Sequence, residues 1–187
     1  MKKLIFLIGI IISICIIYNI KCDNELYLVT LGDNVINNDV HKVIINNINK
    51  EIEKDIKYTN ENMSINDVTS MLENNIKIKY KNKKYNILNV IIKSDIILLS
   101  LGNNEMGNYT SDKNIYNYID SVMLDYNKLF NILRLYSKEK IVIINTNSNK
   151  YYISRLQEIT SKYKIDIINV DKYNVSNKIL NYINSVY

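Results

Sequence analysis

The sequence predicts an α/β fold, a three-layer α/β/α sandwich built on a central parallel sheet. Short runs of Ile, Leu and Val recur along the chain, as is typical of strands that are buried on both faces. Segments with apolar residues at helical spacing separate these runs, and such alternation favours a parallel sheet with right-handed crossovers. The 187 residues suffice for one domain with its own core.

The first half of the predicted domain holds two strands and two helices. Residues 26–31 are an apolar run that ends at a glycine, which indicates a buried strand. The next helix is marked by apolar residues at helical spacing: Ile36, Val40, Val43, Ile44, Ile48 and Ile52. Residues 56–58 are the predicted second strand. A helix follows over residues 64–73, because Ser64 suits the N-cap and Asp67 the acidic position of a capping box.

The middle of the chain predicts a small ribbon, a short helix and the next central strand. Residues 76–85 alternate apolar and charged side chains, a pattern typical of a hairpin or an edge ribbon. Residues 87–93 form the short helix, which leads into a strongly apolar strand over residues 95–101.

The last third predicts two strands and three helices. A long helix carries one regular apolar face, made of Ile115, Ile119, Val122, Tyr126, Leu129, Leu133 and Tyr136. Residues 140–145 and 165–170 are the predicted strands. The remaining two helices are marked by the apolar residues Tyr152, Ile153, Leu156, Ile159 and Tyr163, and by Ile179, Leu180 and Ile183.

Residues 1–22 are predicted to be a signal anchor or signal peptide with a hydrophobic helix, outside the domain of residues 23–187. Lys2 and Lys3 precede a run of apolar residues, and we expect residues 4–20 to contact the membrane. The absence of a small-residue cleavage site favours an uncleaved anchor over a cleaved signal. If these lysines stay on the cytoplasmic side, the domain lies at the outer face of the cell membrane. If the segment is cleaved, the domain is secreted.

Charge and composition indicate no nucleic-acid partner and no cofactor. The net charge of +5 comes from scattered lysines, apart from one cluster at Lys77, Lys79, Lys81, Lys83 and Lys84. Such a cluster could contact nucleic acid or anionic lipid, but we favour a solvated strand edge that its charges protect from aggregation. Cys15 and Cys22 both precede the domain, and His41 is the single histidine, so we expect no metal site.

Two glycines end apolar strands and open polar loops, and these loops carry the candidate site. The segment LVTLGDN supplies Gly32, Asp33 and Asn34, and LLSLGNNE supplies Gly102 and Asn104. Strand ends of an open parallel sheet face a crevice where ligands bind. Together the segments resemble the first and third motifs of the SGNH (GDSL-type) hydrolases, a family of ester hydrolases. The resemblance runs from about residue 26 to the C-terminus.

The resemblance implies Ser-His-Asp chemistry, in which a serine attacks an ester carbonyl and an oxyanion hole stabilises the intermediate. The chain departs from that pattern at both reacting groups. Asn34 occupies the nucleophile position, and its amide cannot be deprotonated to attack an ester. Asn174 stands where the family's Asp-x-x-His would place the histidine, in a shortened loop. Asn62 replaces the glycine of the second motif, with its backbone N–H left as a donor, and Asn104 matches the oxyanion-hole asparagine.

These replacements predict a catalytically impaired, membrane-anchored SGNH-like domain that binds a small ester or an acylated or glycan ligand. One alternative is an active hydrolase or acyltransferase that uses Asp33 and a water molecule. Another is a flavodoxin-like binding domain that holds a phosphate at the helix N-terminus after Gly32. His41, one turn into the first helix, is interpreted as a surface or cap-region residue rather than as a catalytic base.

Overall fold

The computed structural model describes residues 25–109, 114–171 and 173–187, which form seven strands and seven helices. The strands are β1 (Glu25–Gly32), β2 (Glu51–Thr59), β3 (Lys77–Tyr80), β4 (Lys83–Asn86), β5 (Ile96–Ser100), β6 (Lys140–Asn145) and β7 (Asp166–Asn169). The helices are α1 (Asn38–Asn47), α2 (Ile65–Glu73), α3 (Ile87–Lys93), α4 (Asn103–Gly107), α5 (Ile115–Tyr136), α6 (Lys150–Tyr163) and α7 (Val175–Val186).

Five of these strands form one parallel sheet in the order β2-β1-β5-β6-β7, and β3 and β4 form a separate antiparallel hairpin. The chain leaves β1 toward β2 on one side and returns to β5 on the other side of β1. The strand order therefore reverses between β1 and β5, and ligands of such sheets bind at the carboxyl ends of the strands beside that reversal. The register puts Gly32 of β1 opposite Ser100 of β5 at this end.

The sheet separates two apolar layers, which confirms the predicted α/β/α sandwich. Alternate residues of β1 point to opposite faces, as the pleat of a strand requires. Val29 and Leu31 join the core formed with α2, α3, α5 and α6. Leu26 and Leu28 join the core formed with α1 and α7. Both faces of the central strands are thus buried, which accounts for their continuous Ile, Leu and Val runs.

Most of the predicted elements are confirmed, and the boundary between the first helix and the second strand is wrong. Helix α1 ends at Asn47, and Ile52, assigned to it from spacing, lies in β2, which is nine residues long. Apolar side chains on a half-buried strand happened to continue the helical spacing. The short helix α4 was not predicted. The capping box at Ser64 and Asp67 is present, with the hydroxyl and carboxylate each accepting from the other residue's backbone N–H.

The predicted anchor, residues 1–22, and its hydrophobic helix lie outside the described residues. Among the helices at residues 25–109, 114–171 and 173–187, none has the length and apolar composition that crossing a membrane requires.

Candidate functional site

The turns that follow β1 and β5 are in direct contact. The backbone N–H of Asp33 donates to the carbonyl oxygen of Ser100 at 2.6 Å. Gly32 has a φ of 126°, and a Cβ atom at that position would lie 1.9 Å from the same oxygen. Only glycine allows this approach, because any side chain would collide with the backbone of β5. The two glycine-containing segments predicted from the sequence therefore meet at one edge of the sheet.

The carboxylate of Asp33 joins three strand ends. Its side chain is 3% exposed, and its Oδ1 accepts from the Ser100 hydroxyl and from the backbone N–H of Val35, the latter at 3.1 Å. Its Oδ2 accepts from the side-chain amide of Asn103 at 2.7 Å. The oxygen of that amide accepts from the Thr146 hydroxyl. Both oxygens of Asp33 are thus engaged in holding the ends of β1, β5 and β6 together.

The loop of residues 60–64, which follows β2, reaches the same edge. The backbone N–H of Asn60 donates to the carbonyl oxygen of Gly32 at 3.0 Å, and the side-chain amide of Asn104 donates to the carbonyl oxygen of Met63 at 2.8 Å. The backbone N–H of Asn62 donates to Asn60 Oδ1 at 3.2 Å, so that donor is already engaged. The exposed Asn62 side chain lines a separate cavity beside α2. Asn104 is therefore brought to the loop backbone, and Asn62 is not brought to the site.

A crevice of about 980 Å³ opens at the carboxyl ends of β1, β6 and β7, between α1 and α7. Asn34 is exposed at its rim. The polar lining residues that the structure describes are mainly amides and hydroxyls: Asn34, Asn37, Asn145, Thr146, Asn147, Ser148 and Asn169. The apolar ones are Val35, Val40, Ile153, Val170 and Val175. Such a mixture of apolar walls and a few polar groups is typical of sites for small organic ligands.

Asp171 and Asn174 form a hydrogen-bonded pair at the far wall of this crevice. The side-chain amide of Asn174 donates to Asp171 Oδ2, and Asn174 Oδ1 accepts from the backbone N–H of Asp171 at 2.9 Å. Asp171 lines the same crevice as Asn34. The pair has the spacing of the Asp-x-x-His motif, with an amide in place of the imidazole. An amide does not accept a proton at neutral pH, so Asn174 cannot act as the general base that an imidazole would supply.

The hydroxyls of two buried tyrosines lie against the turn after β5. Gly102 has a φ of 96°, and a Cβ atom there would lie 2.2 Å from the hydroxyl of Tyr152 and 2.6 Å from that of Tyr126. Tyr126 donates to the carbonyl oxygen of Leu101 at 2.7 Å. Burial raises the pKa of both hydroxyls, so both stay protonated. Helical spacing marked Tyr126 as a core residue but gave no sign of its contact with the turn.

Glu105 belongs to the segment LLSLGNNE of the third motif, and the structure gives it a supporting role beside the site. Its Oε1 accepts from the backbone N–H of Ile65 at 2.5 Å and so caps the first turn of α2. Its Oε2 is buried without a hydrogen-bond partner among the described residues. Burial raises the pKa of the Glu105 carboxyl. Glu105 stands three residues after Gly102, but nothing in the sequence indicated its contact with the backbone of Ile65.

The interpretation of His41 as a surface residue is wrong. The residue is 7% exposed, because α1 turns its side chain toward β2, where His41 Nε2 lies 4.0 Å from Asp55 Oδ2. Burial lowers the pKa of the imidazole. His41 and Asn34 line different cavities, so this histidine is not placed to activate a group at position 34.

At residues 25–109, 114–171 and 173–187, no three His, Cys, Asp or Glu side chains are grouped as metal ligands.

No family model matches the sequence, and no curated protein matches it either. Solved structures of similar fold include the following two. A protein from Bacteroides fragilis that is named as an acylhydrolase superposes with a TM-score of 0.57 at 11% identity, over 87% of this chain and 88% of its own. A lipase from a goat rumen metagenome superposes with a TM-score of 0.53 at 13% identity, over 77% and 80%. The chain thus has the fold of these hydrolases, as its resemblance to the SGNH family implied.

Proposed function

We propose that this chain is an SGNH-fold domain that no longer hydrolyses esters and uses its crevice to bind a ligand. The observation that carries the proposal is the amide of Asn34 at the position of the nucleophile. The position of the catalytic histidine also holds an amide, that of Asn174, which donates a hydrogen bond to Asp171. Without a nucleophile and a base the covalent route to ester hydrolysis is absent, whatever oxyanion-hole donors remain.

The lining of the crevice supports an uncharged polar ligand with an apolar part. Asp171 and Lys178 are its charged residues within the described part of the chain, and both are engaged: Lys178 Nζ donates to the carbonyl oxygen of Asn169 at 2.7 Å. Amides and hydroxyls hydrogen-bond sugar hydroxyls or ester carbonyls, and the valines suit an acyl chain. The two similar structures bear the names of a lipase and an acylhydrolase, and we propose an acylated or glycan ligand for this chain.

The test is turnover of short p-nitrophenyl esters by the purified protein. We expect the parent protein and the Asn104→Ala variant both to release p-nitrophenol at the rate of the buffer blank. Turnover above the blank that Asn104→Ala abolishes would overturn the proposal, because it would require a working oxyanion hole. Binding of acylated oligosaccharides, measured by ligand-observed NMR, is expected to weaken when Val175→Lys places a charge in the crevice.

The second candidate, hydrolysis by Asp33 and a water molecule, meets a geometric obstacle. Three hydrogen bonds from protein groups occupy the buried Asp33 carboxylate, and they leave it poorly placed to activate water. The same ester assay on Asp33→Asn separates the two functions, since only the second candidate expects activity in the parent protein and its loss in the variant.

The phosphate-binding alternative meets a different obstacle at the N-terminus of α1. The side chain of Asn37 caps this helix by accepting from the backbone N–H groups of Asp39 and Val40, at 3.0 and 2.9 Å. Asp39 adds a negative charge in the first turn. The donors that would hold a phosphate there are therefore taken, and the carboxylate would repel it.

We also propose that residues 4–20 hold the domain at the outer face of the cell membrane. The support is the sequence pattern of two lysines followed by an apolar run. Protease added to intact cells is expected to remove the domain, with a cytoplasmic protein as the control that survives. Survival of the domain until the cells are lysed would contradict this location.

A further inference from the structure

A second cavity, of about 660 Å³, lies on the other side of α1 from the crevice. It is bounded by α1, by the end of the edge strand β2 and by the turn of the β3–β4 hairpin. Its lining includes Lys42, Lys57, Lys79, Lys81, His41 and Asp55. Neither the hydrolase resemblance nor the proposed ligand site uses these residues.

The charge in this cavity is strongly one-sided. Four lysines face one carboxylate, and that carboxylate is already paired: Lys81 Nζ lies 3.0 Å from Asp55 Oδ1, and the Tyr80 hydroxyl donates to Asp55 Oδ2 at 2.7 Å. Lys57 is half-buried, and its ammonium donates to a neutral acceptor, Asn38 Oδ1, at 2.9 Å. A partly buried ammonium without a counter-charge attracts an anion, since low-dielectric walls strengthen the field of like charges.

The turn that carries Lys81 adopts a backbone that favours glycine. The hairpin pairs Tyr80 with Lys83, so Lys81 and Asn82 form a two-residue turn, with φ values of 45° and 62°. Such turns prefer Asn-Gly, and a lysine at the first position is costly. The turn nevertheless aims Lys81 at Asp55 and brings the basic hairpin over the cavity. Strain retained beside a cavity points to a function there.

The imidazole of His41 supplies an independent sign of a ligand site. Its side chain is 9% exposed, and Nε2 is buried without a hydrogen-bond partner among the described residues. Buried polar atoms are normally hydrogen-bonded, so an unpartnered nitrogen on a residue that lines the cavity is a second unusual feature of this wall. Asp55 Oδ2, 4.0 Å away, is too far for a hydrogen bond.

We propose that this cavity binds a phosphate group, carried either by a small phosphorylated compound or by an anionic lipid headgroup. Lysines act on phosphate as point charges, and several around one cavity suit a multiply charged oxyanion. The volume exceeds that of a bare phosphate and falls in the range of small-molecule sites, so it leaves room for the group that the phosphate esterifies.

The test is calorimetric titration of the full chain in a nonionic detergent with glycerol 1-phosphate and, separately, with short-chain phosphatidylglycerol. The test variant is Lys57→Gln with Lys79→Gln, which removes two cavity charges. The matched control is Lys83→Gln, which removes a charge from the same hairpin at an exposed residue outside the cavity lining. We expect saturable binding that weakens by about tenfold or more in the double variant and by less than about twofold in the control. Thermal unfolding of each variant checks that the fold is intact.

The outcomes separate the sources of the phosphate. Binding of glycerol 1-phosphate with this dependence on the variants supports a soluble ligand, and the same dependence with phosphatidylglycerol alone supports a lipid headgroup. No saturable binding of either compound would overturn the proposal. Binding that the double variant and the control weaken equally would overturn it too, since only general charge attraction would then be at work.

Discussion

The replacement Gly32→Ala tests the contact between the turns after β1 and β5. At a φ of 126°, alanine adopts a backbone conformation that L residues rarely take, and its methyl group would stand 1.9 Å from the carbonyl oxygen of Ser100. A positive φ costs about 1–2 kcal/mol for a residue with a Cβ atom. The collision involves the backbone of a central strand, so it forces a shift that typically costs about 1–3 kcal/mol.

The expected loss is therefore about 2–5 kcal/mol of unfolding free energy, a large part of the ~5–15 kcal/mol of a typical domain. With a urea dependence of about 2 kcal/mol/M, the midpoint of unfolding falls by about 1–2.5 M. Circular dichroism during urea titration measures it. Gly107→Ala is the matched control, because its added Cβ has no atom within 4 Å apart from its chain neighbours and its own helix backbone, and alanine favours the helix there.

A Gly32→Ala midpoint equal to that of Gly107→Ala would refute the described contact between the two turns. A fall in both midpoints would instead show that the chain tolerates no added methyl group at either glycine. The comparison thus isolates the close approach of β1 to β5.

Two further predictions concern the groups that support the site. Tyr126→Phe leaves the buried carbonyl of Leu101 without its hydrogen-bond donor and is expected to lower the unfolding free energy by about 1–3 kcal/mol. The control Tyr136→Phe, at an exposed residue, is expected to leave the unfolding free energy unchanged. Equal urea midpoints for the two variants would contradict the role of the buried hydroxyl. Glu105 has a raised pKa in the fold, so the folded state holds its proton more tightly and its stability falls as pH rises from the ordinary value of 4.5 through the higher folded value. Glu105→Gln removes this loss. In urea unfolding from pH 4 to 8, the unfolding free energy of the variant should therefore rise relative to that of the parent protein until the carboxyl of the folded state is ionised. A difference that does not change with pH would contradict the burial of Glu105.

The sequence predicted the fold because buried parallel strands leave a strong signal. The segments 26–31 and 141–144 are almost wholly apolar, and the regular face of α5 is typical of a long amphipathic helix. The end of α1 was mispredicted, since Ile48 and Ile52 continue its spacing although the chain has already turned toward β2. Tertiary packing, which the spacing does not record, decides that boundary.

The candidate site was predictable where strand ends define it. Gly32 and Gly102 lie at strand ends as predicted, where both have a positive φ, and Asp33 and Asn103 join the two turns. The pairing of Asp171 with Asn174 was not predicted, although the two residues have the Asp-x-x-His spacing. The roles of Asn34, Asn104 and Asn174 in a lost reaction remain predictions that the ester assay tests.

The features that the sequence did not predict depend on contacts between residues that are distant in the chain. Glu105 caps α2, 40 residues away in the chain, and His41 is buried against Asp55 because α1 packs on an edge strand. The basic hairpin was interpreted as a solvated edge, yet its turn places Lys81 over a cavity with Lys57. Such juxtapositions arise from the topology of the sheet, and no local pattern of residues records them.

A double-mutant cycle between Asp33 and Asn103 measures most directly whether the turns after β1 and β5 form one site. Unfolding free energies are compared for the parent protein, Asp33→Ala, Asn103→Ala and the double variant. The charge-assisted hydrogen bond of 2.7 Å between the two side chains predicts a coupling free energy of at least about 1 kcal/mol. Effects that add to within about 0.3 kcal/mol would show that these two side chains do not interact, and would contradict the described side-chain contact between the turns after β1 and β5.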